Sequence, residues 1–387
     1  MTTQSVEAHA FNPRPTYQRI PLIDKNNLTP AQQKMLESRA DFNLYKTLAH
    51  HVELYNAWSP LGQIMLSGST IDPRHREIAM LRMGWLCQAE YEWAQHARIA
   101  HDSYGFSPEE IRRIAVGPDA NGWSETDQAV IHMVDELRYD GTISDTTWAA
   151  LSKTYSDEQK VELLFTAAQY QLVSMALNSF GIQLDEILEF RLPTDLPLPP
   201  LAEYADASEP TSPRMRPLQF ADMNDNQKAL IAARFTPKGQ VPNFHRVMLN
   251  SPLLYGPRAD LGDYINKKTV ISPRERELLI LRTAALLDAE YVFVHHSHKA
   301  KKAGLSEAEI ARVRVGSTAH GWSDEDALIL RAAEDLRREA FITDDVWAEL
   351  SETQSRKELV EIVYTVGVYS MNSLAVNTLG VELEAKE

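Results

Sequence analysis

The sequence predicts an all-α protein built of two tandem helical-bundle units joined by a proline-rich linker. Three observations predict it. The chain repeats itself: IDPRHREIAMLRMGWLCQAEYEWAQH begins at Ile71 and ISPRERELLILRTAALLDAEYVFVHH at Ile271, with 12 of the 26 aligned positions identical and no gap. Helix-start and helix-stop residues recur at matching places in both copies, and no stretch sustains the apolar/polar alternation of a strand. Between the copies, Pro193 to Pro217 holds seven of the twenty prolines among Ala, Ser, Glu and Asp. Such a composition cannot sustain a helix and reads as a semi-rigid connector.

The repeat extends well past those 26 positions. After a one-residue deletion, Gly117, Gly122-Trp123, Trp148, Tyr170, Asn178 and Gly181 recur 199 residues later as Gly316, Gly321-Trp322, Trp347, Tyr369, Asn377 and Gly380. Upstream, FNLYKTLAHHVELY faces PNFHRVMLNSPLLY. We place the first unit at residues 17–190, the linker at 191–213 and the second unit at 214–384, and expect residues 1–16 to be poorly ordered.

The elements follow in order. Asp72-Pro73 and Ser272-Pro273 each set an N-cap side chain before a proline at the first helical position, opening a helix that runs to about Leu86 or Leu286. The next helix carries the EY…H block and stops at Gly105 or Gly304. Ser107 with Glu110, and Ser306 with Glu309, form capping boxes that open a short helix. Ser124 and Ser323 cap another. Ser156 with Gln159, and Ser355 with Glu358, open the last long helix of each unit, which ends at Gly181 or Gly380.

Composition narrows the function. With 39 Lys plus Arg against 54 Asp plus Glu, the formal net charge is −15, a field that repels a phosphate backbone and argues against nucleic acid as partner. No uninterrupted apolar run approaches the ~20 residues of a membrane span, and the first residues lack the charged and apolar regions of a signal peptide. A single cysteine, Cys87, rules out an intramolecular disulfide, a CxxC redox pair and a Cys-rich metal site. These features predict a cytoplasmic protein, with Cys87 a small buried apolar residue.

The residues able to do chemistry cluster in the EY…H helix. Glu92 and His96, four apart, share a face with Ala89; Tyr91 sits beside them, and Glu77 on the preceding helix can fold back onto them. A carboxylate beside an imidazole favours the protonated ring and suits proton transfer near neutral pH. The second-unit equivalents are Glu277, Tyr291 and His296, with Val292 in place of Glu92 and with His295 and His298 nearby. His50-His51 and the histidines at 295, 296 and 298 invite a metal reading, but only His96 has a carboxylate at i−4, and no metal is expected. Trp123 and Trp322 read as staples at a loop-to-helix junction.

These motifs resemble those of the carboxymuconolactone decarboxylase / alkylhydroperoxidase D-like superfamily. The likeness rests on the LRxG segment at Leu81–Gly84, the EYEWAQH block, the DELRYDGTISDTTWAAL segment and the closing AAQYQLVSMALNSFG helix, and it covers both units. In the peroxidase branch the resemblance places a CxxC pair at Ala89 and Glu92, and at Ala289 and Val292. The relay glutamate then falls on Glu77 or Glu277 and the histidine on His96 or His296. Both thiols are missing twice, so thiol peroxidase activity is disfavoured. The decarboxylase branch, which works without a cofactor on lactone acids, implies a lyase or isomerase acting on a small carboxylated or lactone-type substrate. His96 would be the proton donor, Glu92 and Glu77 would set its charge, and Arg82 (Arg282 in the second unit) would hold the substrate carboxylate.

The resemblance also implies assembly. Relatives form trimers or hexamers of dimers, so a tandem chain resembles a joined dimer, and three chains would make a homo-oligomeric pseudo-hexamer. Loss of the acid at Val292 suggests one competent site, in the first unit, beside a degenerate second half. The alternative function is a non-catalytic small-molecule-binding or scaffold member of the superfamily.

Overall fold

A computed structural model describes residues 12–37, 39–198, 210–235 and 239–384. Most of the expected disordered leader (residues 1–11) and the middle of the linker (residues 199–209) lie outside the described residues. Helices and connecting turns, with no strand among the described residues, make up the fold. The first unit runs α1 (Pro30–Glu37), α2 (Asn43–Leu48), α3 (Val52–Gln63), α4 (Pro73–Leu86), α5 (Glu90–Tyr104), α6 (Pro108–Val116), α7 (Glu125–Tyr139), α8 (Asp145–Leu151) and α9 (Asp157–Phe180). The second repeats the order as α10 (Asp225–Ile231), α11 (Asn243–Met248), α12 (Pro252–Lys267), α13 (Pro273–Leu286), α14 (Glu290–Lys302), α15 (Glu307–Val315), α16 (Asp324–Glu339), α17 (Asp344–Thr353) and α18 (Arg356–Leu379).

The capping residues act as their types dictate. Asp72 accepts from the Arg74 N–H at the start of α4, and Ser272 forms a full capping box with Glu275 at the start of α13. Ser107, Ser156, Ser306 and Ser355 also close complete boxes, each satisfying backbone donors that a helix start leaves open. The indoles of Trp123 and Trp322 donate to the carbonyls of Gly117 and Gly316 at 3.0 Å and lie under Arg113 and Arg312.

Helices α9 and α18 form the centre. From Lys160 to Phe180 every residue of α9 is buried, and α18 is buried almost as completely. By length and hydropathy α18 could cross a membrane, although polar residues interrupt its apolar run. The apolar window of α18 is entirely buried inside the protein, as a core helix requires. The two central helices press closely at Gly367, where a Cβ would lie 2.5 Å from Leu172 Cγ.

Around this axis the units meet through equivalent surfaces, as in a two-fold dimer. Arg138 donates to the carbonyls of Arg337 and Arg338, and Arg337 donates back to those of Arg138 and Tyr139. Asn178 caps Cys87 O and Ala340 O, while Asn377 caps Leu287 O and Gly141 O. Each unit also sends an arm across. Arg19 pairs with Asp344 and stacks on Trp347, and Arg214 pairs with Asp145 at 2.7 Å and stacks on Trp148. Residues 12–16 therefore depart from the expectation of disorder: Arg14 donates to Cys87 O at 2.9 Å and covers the Phe341 ring. The near end of the linker docks too, through a two-pronged Arg112–Asp195 pair.

Candidate functional site

The α4–α5 hairpin turns at Gln88, held at φ 50°, and its twin turns at Asp288 with the same φ. The tight turn lays α5 back along α4, so Glu77 meets the EY…H face. His96 Nδ1 lies 2.8 Å from Glu77 Oε2, and His96 Nε2 lies 3.2 Å from Glu92 Oε1. The second contact is an ion-pair distance without hydrogen-bond alignment, and Glu92 Oε1 has no hydrogen-bond partner. Tyr170 from α9 closes the cluster edge-on at 4.8 Å. Gly84, the last residue of the LRxG segment, makes room: a Cβ there would come 3.4 Å from Glu92 Cγ.

This cluster is enclosed. Glu77, Glu92 and His96 are only 1–4% exposed. Burial pushes the Glu92 carboxyl up to about 7, with Glu77 adding to the rise and His96 opposing it. Burial works against charge on His96 as well, but Glu77 and Glu92 outweigh it and raise the imidazole above its ordinary value. Glu92 and His96 thus both hold a proton more tightly than they would in water. A cavity of about 510 Å³ elsewhere in the unit is lined by Tyr91, Gln88 and Asn178 but not by His96.

The second unit keeps the dyad and changes what faces it. His296 Nδ1 lies 2.7 Å from Glu277 Oε2, and Tyr369 stands edge-on at 4.7 Å. Arg276 pairs with the other oxygen of Glu277 at 3.2 Å. Val292 replaces the second acid, and Lys299 Nζ approaches His296 Nε2 at 3.3 Å. A cavity of about 370 Å³ opens beside this pair, lined by His296, Lys299, Arg258, His245, Asn266 and Tyr369, among others. Arg258 is 7% exposed; it donates to Asn372 Oδ1 at 2.7 and 3.2 Å and lies over the Phe244 ring. A buried guanidinium whose hydrogen-bond partner is a neutral amide is poised for an anion.

The electrostatics follow. Burial lowers Arg258 to about 10. Burial, with Lys299 and His295 adding to it, brings His296 down to about 4 despite the Glu277 hydrogen bond. His245 falls to about 3 through burial, then through Arg258 and Arg234. At neutral pH His296 is therefore uncharged, its Nδ1–H donated to Glu277 and its Nε2 lone pair turned toward Lys299.

Two of the sequence-predicted groups sit outside these clusters. Arg82 is fully buried, donates to both oxygens of Asp135 at 2.6 and 2.9 Å, and caps the carbonyls of Ile114 and Ala115. Arg282 repeats this in part, donating through Nε to one oxygen of Glu334 and through Nη1 to Val313 O and Arg314 O. These are helix-tying arginines, so substrate binding by Arg82 and Arg282 is corrected: Arg82 spends its nitrogens inside the protein and Arg282 is held by the equivalent helices. Breaking such a buried pair costs roughly 3–5 kcal/mol. Tyr91 is corrected likewise. Its hydroxyl donates to Asp185 at 2.5 Å, and Asp185 also accepts from the Asn43 N–H. Tyr291 repeats this with Glu384 at 2.8 Å and Asn243. The tyrosines pin the segment after the last helix, and the Tyr291 ring also packs on the His295 ring at 4.4 Å. Cys87 is buried, and burial raises its thiol.

Beside the expectation of a competent first unit and a degenerate second stands a different geometry: a cavity opens onto the histidine of the second unit, whereas Glu92, whose presence favoured the first, lies in a closed, acidic cluster. Sequence reasoning missed Arg258, His245 and Lys299. A signal existed in the repeat itself: these positions hold Trp58, Tyr45 and Ile99 in the first copy, so they are places where the copies differ. Tyr170 and Tyr369 recur in both copies but carry no hint in sequence of the ring they touch.

Among the described residues no group of three or more His, Cys, Asp or Glu is arranged to hold a metal ion. A family model described as the carboxymuconolactone decarboxylase family matches the chain twice, over residues 53–136 and 252–335. No curated protein matches it.

Proposed function

The chain belongs to the carboxymuconolactone decarboxylase family, once in each half, and from that premise we propose a cofactor-independent lyase or isomerase acting on a small carboxylated or lactone-type substrate in the His296 cavity. The observation that carries this reading is the meeting of a buried arginine, a lysine and a neutral, carboxylate-oriented histidine around one space of about 370 Å³. Sites for small molecules are commonly of this size, roughly 300–1,000 Å³.

Each group has a role its chemistry suits. Arg258 draws the substrate carboxylate into the cavity and holds it. Glu277 fixes the His296 tautomer and stabilises the imidazolium that forms when Nε2 takes a proton. Nε2 removes a proton from carbon next to a carbonyl, or returns one to the carbanion left when CO2 departs. An entering carboxylate offsets Lys299 and Arg258, so binding itself raises the basicity of His296. The His96 cluster lacks this logic: Glu77 and Glu92 around one histidine repel an acid. The first unit serves as a scaffold that completes the central helix pair.

The test is direct. Small lactone acids and 3-oxo acids are incubated with the protein in D2O, with CO2 release and deuterium incorporation followed by NMR. The wild type is expected to release CO2 or exchange protons, and His296→Gln to do neither. Binding without either event in the wild type would instead support the non-catalytic binding role.

A further inference from the structure

We propose that Lys299 is a nucleophilic amine that condenses with the carbonyl of a small oxo acid whose carboxylate Arg258 holds. This rests on reading the His296 cavity as the reaction centre, and it gives that reaction a covalent step.

The geometry is that of an activated nucleophile. Glu277 Oε2 accepts from His296 Nδ1 at 2.7 Å, and His296 Nε2 lies 3.3 Å from Lys299 Nζ. Nucleophile, base and orienting carboxylate stand in line, which is the arrangement that activates serine or cysteine elsewhere, here with an amine at its end. Lys299 is exposed and therefore reachable, and its Nζ donates to Asn266 Oδ1 at 2.8 Å beside His296 on the cavity wall.

The surroundings disfavour charge on that tip. Protein packed around it lowers its pKa; Glu277 opposes the shift, and Arg276, Lys267 and Arg258 reinforce it. Lys267, the other lysine on the cavity wall, differs: its ammonium pairs with Asp263 at 3.1 Å. In the first unit the position of Lys299 is Ile99 and that of Arg258 is Trp58. The amine and its carboxylate clamp thus occur in the same copy.

The step balances as follows. The neutral Nζ lone pair forms a C–N bond to the carbonyl carbon as the carbonyl π pair moves to oxygen. His296 Nε2 relays a proton from nitrogen to that oxygen, and a second proton from solvent lets water leave, giving an iminium. With a 3-oxo acid, the bond to the carboxylate then breaks. CO2 departs, and its electron pair neutralises the iminium as an enamine. Protonation at carbon and addition of water release the ketone and restore the amine.

The experiment traps the iminium. The full chain is incubated with acetoacetate or pyruvate and sodium cyanoborohydride, whose hydride reduces the iminium to a stable secondary amine, and the adduct is located by peptide mapping. Lys301 and Lys302, exposed on the same helix, are internal controls. Labelling of Lys299 is expected to exceed theirs by about ten-fold or more. The Lys299→Arg variant, which keeps the charge but cannot form an imine, should lose that label and still bind the oxo acid by ligand-observed NMR. Labelling of Lys299 no greater than that of its neighbours overturns the proposal. If the wild type then still binds the oxo acid, only the covalent step falls; if binding is absent as well, the cavity reading loses its support too.

Discussion

His96 and His296 occupy equivalent helices, turn Nδ1 to equivalent glutamates at 2.8 and 2.7 Å and meet equivalent tyrosines edge-on. Their proton affinities nevertheless move in opposite directions: two carboxylates raise His96, whereas burial and Lys299 bring His296 down to about 4. The shared dyad is thus only a frame. Which residue stands at the far nitrogen, Glu92 or Lys299, and which stands across the space, Trp58 or Arg258, decides whether the frame stores a proton or faces a ligand. Duplication within one chain permits the divergence, because neither copy must serve both roles.

The largest effect should separate the two histidines outright. His296→Gln should lower turnover by about 10²–10⁴-fold, the usual contribution of a positioned acid–base group. His96→Gln should leave turnover per folded molecule within a few-fold, while costing roughly 3–5 kcal/mol of stability because two buried carboxylates lose their partner. Equal losses of turnover would sink the division of labour.

The next test uses pH and stability, where the two clusters have opposite slopes. Glu92 and His96 both hold protons more tightly folded than unfolded. Their contribution is full at low pH and is lost as pH rises, for Glu92 between its unfolded value near 4.5 and about 7. His296 binds its proton less tightly folded than unfolded, so its contribution improves as pH rises from about 4 toward 6.5. Glu92→Gln should therefore flatten the alkaline decline, stabilising the protein at pH 8 relative to pH 5 by up to roughly 3 kcal/mol. Denaturant midpoints at the two pH values measure it, and an unchanged difference between wild type and variant contradicts the buried, protonated state of Glu92.

Sequence made the fold legible because helix boundaries are local chemistry: Ser156 with Gln159 and Gly181 announce the ends of α9 without reference to anything distant. The dyad was legible for the same reason, since Glu92 and His96 are four apart and Glu77 lies one hairpin away. Arg82 was misjudged because its partner, Asp135, lies on α7, and a guanidinium spent inside the protein looks the same in sequence as one waiting for substrate. Arg258 and Lys299 were missed because they reach the cavity from α12 and α14. Only the packing of those helices against α18 brings them to one space. The crossing arms of Arg19 and Arg214 were hidden for the same reason, their partners Asp344 and Asp145 being 325 and 69 residues away.

A smaller effect sharpens the charge half of the comparison. Arg258→Leu should weaken binding of a small carboxylate by about 10–100-fold, in line with roughly 1.5–3 kcal/mol for a hydrogen bond to a charged group. Trp58→Leu, the matching change in the first unit, should leave that affinity unaltered. Isothermal titration with the best-bound acid from the lactone and oxo-acid panel reads both. The same titration repeated in buffers of different ionisation enthalpy should show proton uptake, because an arriving anion offsets Lys299 and Arg258 and raises His296. Binding that takes up no proton would separate the carboxylate site from the histidine.

The smallest expected effect concerns the tyrosines. Tyr91 and Tyr291 hold Asp185 and Glu384, carboxylates that also cap the starts of α2 and α11 through Asn43 and Asn243. Phenylalanine at either position removes two hydrogen bonds, the one donated to the carboxylate and the one the phenol oxygen accepts from the backbone N–H of Leu44 or Phe244, but leaves the carboxylate its own backbone partner, so each change should cost about 1–2 kcal/mol. The costs should match although the histidines beside them have diverged, because both units make this contact and it serves the chain segment after α9 and α18. Turnover should be unaffected by Tyr91→Phe and nearly so by Tyr291→Phe. The second case is the sharper one, since Tyr291 also borders the cavity. A loss of turnover beyond about ten-fold in Tyr291→Phe alone, with stability down by the same amount as in Tyr91→Phe, would move Tyr291 from holding the frame to touching the substrate.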